Sequence, residues 1–381
     1  MVERAQIAEL LDSYDKKDIT IATATSHSAL QIFHAAKKEG FKTLGVCDSA
    51  AREKAYSSFK ASTPDSFLRV DSWKDLLSRD VQERLVEENT IVIPHGSFVE
   101  YVGSDEILEK FKVPMFGNRE VLNWESKRAK QREWLEKLSG LHMPREFDPS
   151  NIKALSLVKA SGAKGGKGFF KVKSSAEFYE QIQKRLDSGE YSKEDIKHIT
   201  IQEYIPGARY YFHFFYSPLS SDSWAMELNG KGIGSLELTG IDRRDETNID
   251  DLHRTGLDAS ELKELGITPT YTVAGNLPLV LRESLLPKVF ELGEKVVKSS
   301  VESFSPGVVG PFCLETFCTS RLDFITFEIS ARIVAGTNLY PAGSPYSVLA
   351  HGADAEMSAA RRLMLEVRKG IELGRLPEIV Y

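Results

Sequence analysis

Short apolar runs alternate with amphipathic stretches along the first third of the chain. Residues 19–25 read as a strand, 29–38 as a helix stopped by Gly40, and 41–47 as a second strand. A helix over 73–86 and a strand over 91–94 follow. Apolar strands separated by helices predict a mostly parallel sheet, because the crossover helices cover both of its faces. Ligands of such sheets sit at the carboxyl ends of the strands. Two loops fall there, TSHSAL at 25–30 and HGSFVEYVG at 95–103.

Further on, the spacing of Leu122, Trp124, Trp134, Leu135 and Leu138 predicts one long helix over 119–138, stopped by Gly140. The pattern then changes to alternating and aromatic residues, and YYFHFFY at 210–216 reads as a buried strand. The polar, glycine-containing stretch 222–234 predicts a loop or hairpin insert, and helices are expected over 285–299 and 355–369. No internal repeat, heptad array or low-complexity tract interrupts this order.

Two consecutive strands, 311–319 and 323–334, carry candidate chemistry. With side chains alternating at period two, Glu328, Ser330 and Arg332 share one face. Phe327, Ile329 and Ala331 take the other, suited to a core. A turn centred between Arg321 and Leu322 sets Glu315 across from Glu328, with Cβ atoms about 5 Å apart. Facing carboxylates repel unless a cation or a proton bridges them. Hard oxygen ligands beside phosphates suit Mg²⁺ rather than zinc. The plain alternative is a pair of edge-strand glutamates in solvent.

Composition narrows the field. The 381 residues suffice for two domains, and 41% hydrophobic with 27% charged residues describes an ordinary globular protein. A formal net charge of -6 gives no support for non-specific binding to nucleic acid or an acidic membrane. Three cysteines, Cys47, Cys313 and Cys318, argue for a reducing compartment and against a disulfide scaffold. The charged N-terminus lacks a signal-peptide core, and no run approaches a membrane span, so cytoplasmic residence is expected.

The segment 157–170, LVKASGAKGGKGFF, combines lysines with glycines that let backbone N–H groups close around an anion. It lacks the GxxxxGK[ST] arrangement, and a strand rather than a helix follows it. It reads as a phosphate flap or as a solvated hairpin. His27 lies between two serines after a strand; Ser26 or Ser28 can cap the next helix, whose free N–H groups favour an anion. His95, Gly96 and Ser97 recur at the second such loop. Gln202, Glu203 and Tyr204 before Pro206-Gly207 suit either an adenosine hinge or an ordinary strand end. Arg243, Arg244 and Glu246 form a charged cluster, and Asn276 sits in a turn where its amide can read a polar group.

Taken in order, several segments resemble an ATP-grasp enzyme, and within that superfamily the archaeal 5-formaminoimidazole-4-carboxamide ribonucleotide synthetases. They are TSHSALQI at 25–32, FGNRxxLxWES at 116–126, VKxSGAKGGKGFF at 158–170 and QEYIPG at 202–207. GIDRRxET at 240–247, YTVAGNLPLVLRESLL at 271–286 and FEISARIVAGTNLY at 327–340 complete the set. The resemblance implies an α/β and α+β chain with an ATP-grasp fold behind an N-terminal Rossmann-like parallel-sheet domain. The domains would be 1–125, with a linker helix beginning near 119, a small subdomain over 150–215 and a large one over 216–381. The implied reaction formylates 5-aminoimidazole-4-carboxamide ribonucleotide with formate and ATP; a ligase for another carboxylate or amine is the neighbouring reading.

Residue by residue, the resemblance puts Lys159, Gly165, Gly166, Lys167 and Gly168 on ATP phosphates, and Glu203, Tyr204 and Glu246 on the nucleotide. Glu315 and Glu328 would hold Mg²⁺, with Mn²⁺ an alternative, and Arg332 would act nearby. His27 and Ser97 would contact the ribonucleotide and Asn276 its base. His27, Lys159 and Arg332 are the expected catalytic groups. A homo-oligomer, trimer or hexamer, is implied, without nucleic acid or membrane partners. Two departures stand out. Ser330 occupies the position where ATP-grasp enzymes often carry asparagine, and a serine has less reach toward a metal. The stretch 220–234 is longer than the family core needs.

Overall fold

The computed structural model describes residues 1–159, 169–197, 199–267, 270 and 273–381. Its first sheet joins β1 (Thr20–Ala24), β2 (Lys42–Cys47), β3 (Ser66–Arg69) and β4 (Thr90–Val92) in the order β3-β2-β1-β4. All its pairings are parallel. Every residue of β1 is buried, Thr20 and Thr23 included, as in a strand covered on both faces. The helix Ala29–Lys38 follows it and ends before Gly40, whose positive φ of 77° suits glycine.

Three local expectations give way to capping and backbone geometry. The helix expected over 73–86 divides into Trp73–Leu77 and Arg79–Glu87, because the Ser78 hydroxyl accepts from the Val81 N–H and caps the second piece. The loop expected over 95–103 is instead the helix Gly96–Val102, with His95 as its N-cap. The helix expected over 119–138 breaks after Arg119–Glu125, resumes as Arg128–Arg132 and widens into a π-helical turn over Glu133–Leu138. The break coincides with Lys127 in extended backbone and with the Ser126 hydroxyl bonded back to the Leu122 carbonyl at 2.8 Å.

A small antiparallel sheet, β6-β5-β7, contains β5 (Ser156–Lys159), β6 (Phe169–Val172) and β7 (Thr200–Glu203). The large sheet runs β11-β10-β8-β12-β13, with β9 paired to β10. Its members are β8 (Ala208–Ser217), β9 (Trp224–Leu228), β10 (Lys231–Glu246), β11 (Val273–Pro278), β12 (Gly310–Cys318) and β13 (Phe324–Ser330). Since β8 belongs wholly to this sheet, a division between 215 and 216 falls inside a strand. Phe212, Phe214, Phe312 and Ile329 pack from the sheet into the main core. The long stretch after Ser220 is the β9–β10 hairpin, folded so that Trp224 stacks on Phe290 at 4.8 Å.

The hairpin of β12 and β13 departs from simple alternation. Glu315 does pair with Glu328, but the register shifts between Glu315 and Thr316, where Thr316 meets Thr326. A bulge at Phe327 therefore absorbs one residue. It also turns Phe327 out of the core face expected for it, while Ile329 and Ala331 stay in the core. Phe327 instead packs with Tyr211, Cys313 and Val334, its ring 4.5 Å from that of Phe317. Two successive side chains thus serve one face, as bulges beside active sites commonly arrange.

Candidate active site

A cleft of about 1090 Å³ opens where these parts meet. The parallel sheet contributes His27 and Ser97, the broken linker helix Glu125 and Arg128, and the small sheet Lys159 and Gln202. Phe327, Glu328 and Arg332 come from the end of the large sheet. Five of the residues singled out in the sequence, His27, Ser97, Lys159, Glu328 and Arg332, therefore line one space.

On the N-terminal side, His27 adopts left-handed backbone at φ 50° directly after β1. Such a conformation is unfavourable for a non-glycine residue and marks a constrained loop. Neither neighbouring serine caps the next helix as expected. Ser28 stands at the N-cap without a side-chain cap bond, its hydroxyl 2.9 Å from His27 Nδ1, and the Ser26 hydroxyl bonds Ser97 Oγ at 3.0 Å. The ring of His27 stacks on that of His95, with centroids 5.6 Å apart and planes at 10°. His95 Nδ1 accepts from the Phe98 N–H, and its Nε2 lies 2.8 Å from the Ala24 carbonyl. A ring that accepts at one nitrogen and donates at the other is neutral. Burial pushes His95 down to about 3, against the opposing effect of the Ala24 carbonyl. His27 is lowered to about 4 by removal from bulk water, then by Arg332 and Arg244. It is open to the cleft, so cleft water softens that shift; the direction stands because both guanidinium groups oppose a second positive charge.

On the sheet side, Glu315 is buried and ion-paired to Arg244 at 2.5 Å. Removal from bulk water, then the facing Glu315, push the Glu328 carboxyl up to about 7. Glu328 also has a side open to cleft water, and again the direction is secured by its charged neighbour. Two carboxylates on paired strands, one of them disfavoured as an anion, form a donor set that a hard divalent cation relieves. The residues present fit such an ion. Arg332 lies between Glu125, 3.2 Å away, and Gly96, where a Cβ would come within 3.1 Å of its guanidinium. Ser330 is buried opposite Cys313.

Lys159 ends β5 and bonds Gln202 Oε1 at 2.7 Å; burial lowers it, while Glu328 pulls the other way. Glu203 is held below the usual carboxylate range by the Arg145 guanidinium, bonded at 2.9 and 2.8 Å. Tyr204 is exposed, and its N–H bonds the Leu155 carbonyl. Glu246, at the far end of β10, pairs with Arg209. Asn276, expected in a turn, lies instead within β11 and donates to Asp242 at 2.6 Å. These four do not line the cleft itself. Gly165, Gly166, Lys167 and Gly168 lie outside the described residues.

Sequence reasoning passed over Glu125, Tyr211, His213 and Asp242. Strand periodicity held a signal for three of them. Asp242, Arg244 and Glu246 recur at period two along β10, and Arg209, Tyr211 and His213 do so along β8. Glu125 carried no such signal, because its role depends on where the linker helix breaks.

Two sequence families match the chain, one described as a protein of unknown function (DUF1246) over residues 21–147, the other as a domain of unknown function (DUF1297) over 177–381. The 5-formaminoimidazole-4-carboxamide-1-(beta)-D-ribofuranosyl 5'-monophosphate synthetase of Methanococcoides burtonii is 47% identical over 380 residues, covering 100% of each chain. The protein of the same name from Methanothrix thermoacetophila is 48% identical, again over 100% of each. Among solved structures, an IMP biosynthesis protein PurP from Thermococcus kodakaraensis aligns with TM-score 0.69 at 30% identity, covering 95% of this chain and 100% of that one. The ADP complex of an N5-carboxyaminoimidazole ribonucleotide synthetase aligns at TM-score 0.58 and 13% identity, covering 91% of this chain and 75% of that one, a likeness of fold.

Proposed function

We propose, because the chain belongs to the family of 5-formaminoimidazole-4-carboxamide ribonucleotide synthetases, that its cleft holds ATP beside Lys159 and Glu328 and the ribonucleotide beside His27 and Ser97. The protein is an ATP-dependent carbon–nitrogen ligase with the ATP-grasp fold. It formylates 5-aminoimidazole-4-carboxamide ribonucleotide with formate and ATP in purine (IMP) biosynthesis. The observation that carries the site assignment is the convergence of the N-terminal loops and the Glu315–Glu328 hairpin on one cleft.

Formate is a poor acyl donor because its oxygen leaves poorly. In the proposed sequence, a formate oxygen attacks the γ-phosphorus, the bond to the β,γ-bridging oxygen breaks, and ADP departs from formyl phosphate. The 5-amino nitrogen then attacks the formyl carbon. The carbon–oxygen bond to phosphate breaks, and the nitrogen loses one proton. Mg²⁺, or Mn²⁺ in its place, would be held by Glu315 and Glu328 and would neutralise charge on the phosphoryl oxygens. Lys159 and Arg332 add fixed positive charge there. His27, neutral near pH 7, offers the ribonucleotide a hydrogen bond rather than a charge. No covalent intermediate with the protein is needed, and all three cysteines are buried.

Glu203 and Tyr204 are assigned to the adenosine end, Glu246 to a further contact with the nucleotide, and the loop 165–168 to the phosphates by family resemblance. Asn276 is assigned to the substrate base in the same way. We divide the chain into an N-terminal domain to residue 125, a small subdomain ending before β8 and a large one from β8 onward. Assembly into a trimer or hexamer is also proposed. Leu349, 82% exposed, is an apolar side chain that a second copy can cover, and sedimentation analysis tests this.

Purified protein incubated with ATP, Mg²⁺, formate and the aminoimidazole ribonucleotide is expected to release ADP only when both co-substrates are present, in step with a product heavier by one formyl group. Turnover with a different carboxylate and none with formate would move the chain to the neighbouring ligase reading.

A further inference from the structure

Behind the pair of metal-binding candidates lies a second buried polar group that the mechanism has not used. Asp242, on β10, is 1% exposed and accepts two hydrogen bonds. One comes from His213 Nε2 at 2.6 Å, on the neighbouring β8; the other comes from Asn276 Nδ2 at 2.6 Å, on β11. Arg244 rather than Asp242 is the direct cross-strand partner of Asn276, so the Asn276 contact reaches diagonally across the pair. Gly336 closes the other side: a Cβ there would come within 2.5 Å of Asp242 Oδ1. The carboxylate is thereby boxed in by two donors and a glycine.

An ionised carboxylate only accepts hydrogen bonds, so the Asn276 group facing it has to be the NH₂. That settles which way the amide points. With Nδ2 spent on Asp242, the carbonyl Oδ1 is the atom left for a ligand, and Asn276 is only half-buried. His213 is set by the same carboxylate. Its Nε2 carries a proton toward Asp242, and Nδ1 is buried with no hydrogen-bond partner among the described residues.

We infer that Asp242 is a positioning residue which locks Asn276 as a hydrogen-bond acceptor, so that the site selects a substrate carboxamide over a carboxylate at the same ring position. The inference rests on the assignment of Asn276 to the substrate base. A carboxamide supplies the N–H that Oδ1 requires. A carboxylate at that position presents only lone pairs to Oδ1 and meets the negative charge of Asp242 behind it. Sites built around a fixed donor–acceptor pattern reject a group that leaves them unpaired far better than apolar pockets reject a size difference. The ordering role also explains why an acidic group is buried on β10, two strands from Glu315.

The test compares two nucleotides, the 4-carboxamide substrate and its 4-carboxylate analogue, in the parent protein, Asp242→Asn and Asp242→Ser. The parent is expected to prefer the carboxamide in kcat/KM. In Asp242→Asn the facing amide can donate as well as accept, so Asn276 is free to turn over. Its KM for the carboxamide should rise about tenfold to a hundredfold, the scale of one lost buried hydrogen bond. Preference over the carboxylate should shrink by a similar factor, while KM for ATP stays constant. Asp242→Ser, which removes the charge with less bulk, should do the same, and thermal melting verifies that each variant is folded. An unchanged preference in either folded variant would overturn the inference, and so would an equal loss for both nucleotides together with a raised KM for ATP. A parent protein with no turnover of the carboxamide nucleotide overturns the parent assignment, and this inference with it, before any variant is compared.

Discussion

The two walls of the cleft are stabilised in opposite ways. The N-terminal wall presents a neutral, mutually bonded cluster: His27 lies on His95, His95 caps a helix, and Ser26 bonds Ser97. The sheet wall is charged and strained. Glu328 faces Glu315, Arg244 neutralises only one of them, and burial disfavours the charge of Glu328. A wall that is complete without ligand can recognise a neutral group with little rearrangement. A wall carrying unrelieved charge becomes most favourable when a cation and phosphates arrive. Shape and hydrogen bonding are therefore concentrated on one side, and phosphoryl-transfer electrostatics on the other.

The sharpest way to break this contrast is Glu328→Gln. Removing the charge should cost kcat about a hundredfold to a thousandfold, the scale of losing a group that stabilises developing charge. The folded state should not suffer, since the ionised carboxyl is disfavoured there. Product formation measured beside thermal melting checks both halves. Activity surviving intact would show that the cross-strand pair is ordinary strand surface. Next in size is Lys159→Met. It should lower kcat/KM for ATP about tenfold to a hundredfold, as expected for a charge-assisted contact to phosphate, with KM for the ribonucleotide unchanged.

These two positions also show where sequence reasoning reached and where it stopped. Period-two alternation and a short turn were enough to pair Glu315 with Glu328. The pairing holds, but through a bulge the alternation does not contain: the outer part of the hairpin is one residue out of the assumed register, and Phe327 restores it. Bulges depend on local backbone geometry, which a hydrophobic pattern does not encode. On the N-terminal side the strands were legible from their apolar runs. The His27–His95 stack was not, because it joins two loops far apart in sequence, and because histidine carries no strong N-cap preference. The linker showed the same limit. Its apolar spacing predicted one helix, whereas the break that brings Glu125 to Arg332 rests on Ser126 and Lys127.

A smaller effect tests the neutral wall. His95→Asn keeps a side chain able to cap the Phe98 N–H but removes the ring beneath His27. The stacked pair is worth about 0.5–1.5 kcal/mol, so KM for the ribonucleotide should rise roughly threefold to tenfold. KM for ATP should hold, because Lys159 and Glu328 are untouched. A parallel rise in both constants would mean that His95 merely supports the fold.

The smallest expected effect is the dependence of stability on pH, and its sign differs between the walls. Glu328 has a folded-state value near 7 against 4.5 unfolded, so the folded protein binds the extra proton between them. Its contribution to stability is present below 4.5 and is lost as pH rises toward 7. His95 and His27 run the other way. Their folded values, about 3 and about 4, lie below the ordinary 6.5, so the unfolded chain binds the extra protons. Stability they support above 6.5 is lost as pH falls toward 4. The opposing slopes partly cancel in the parent protein, leaving a shallow profile of melting temperature between pH 4.5 and 7. Glu328→Gln should uncover the histidine slope, with melting temperature rising toward neutral pH by a few degrees more than in the parent. His95→Asn should expose the opposite slope. Its effect should be the firmer of the two, because His95 is fully buried whereas Glu328 opens to cleft water. Profiles that shift in the same direction in both variants would show that the walls do not differ in charge as described.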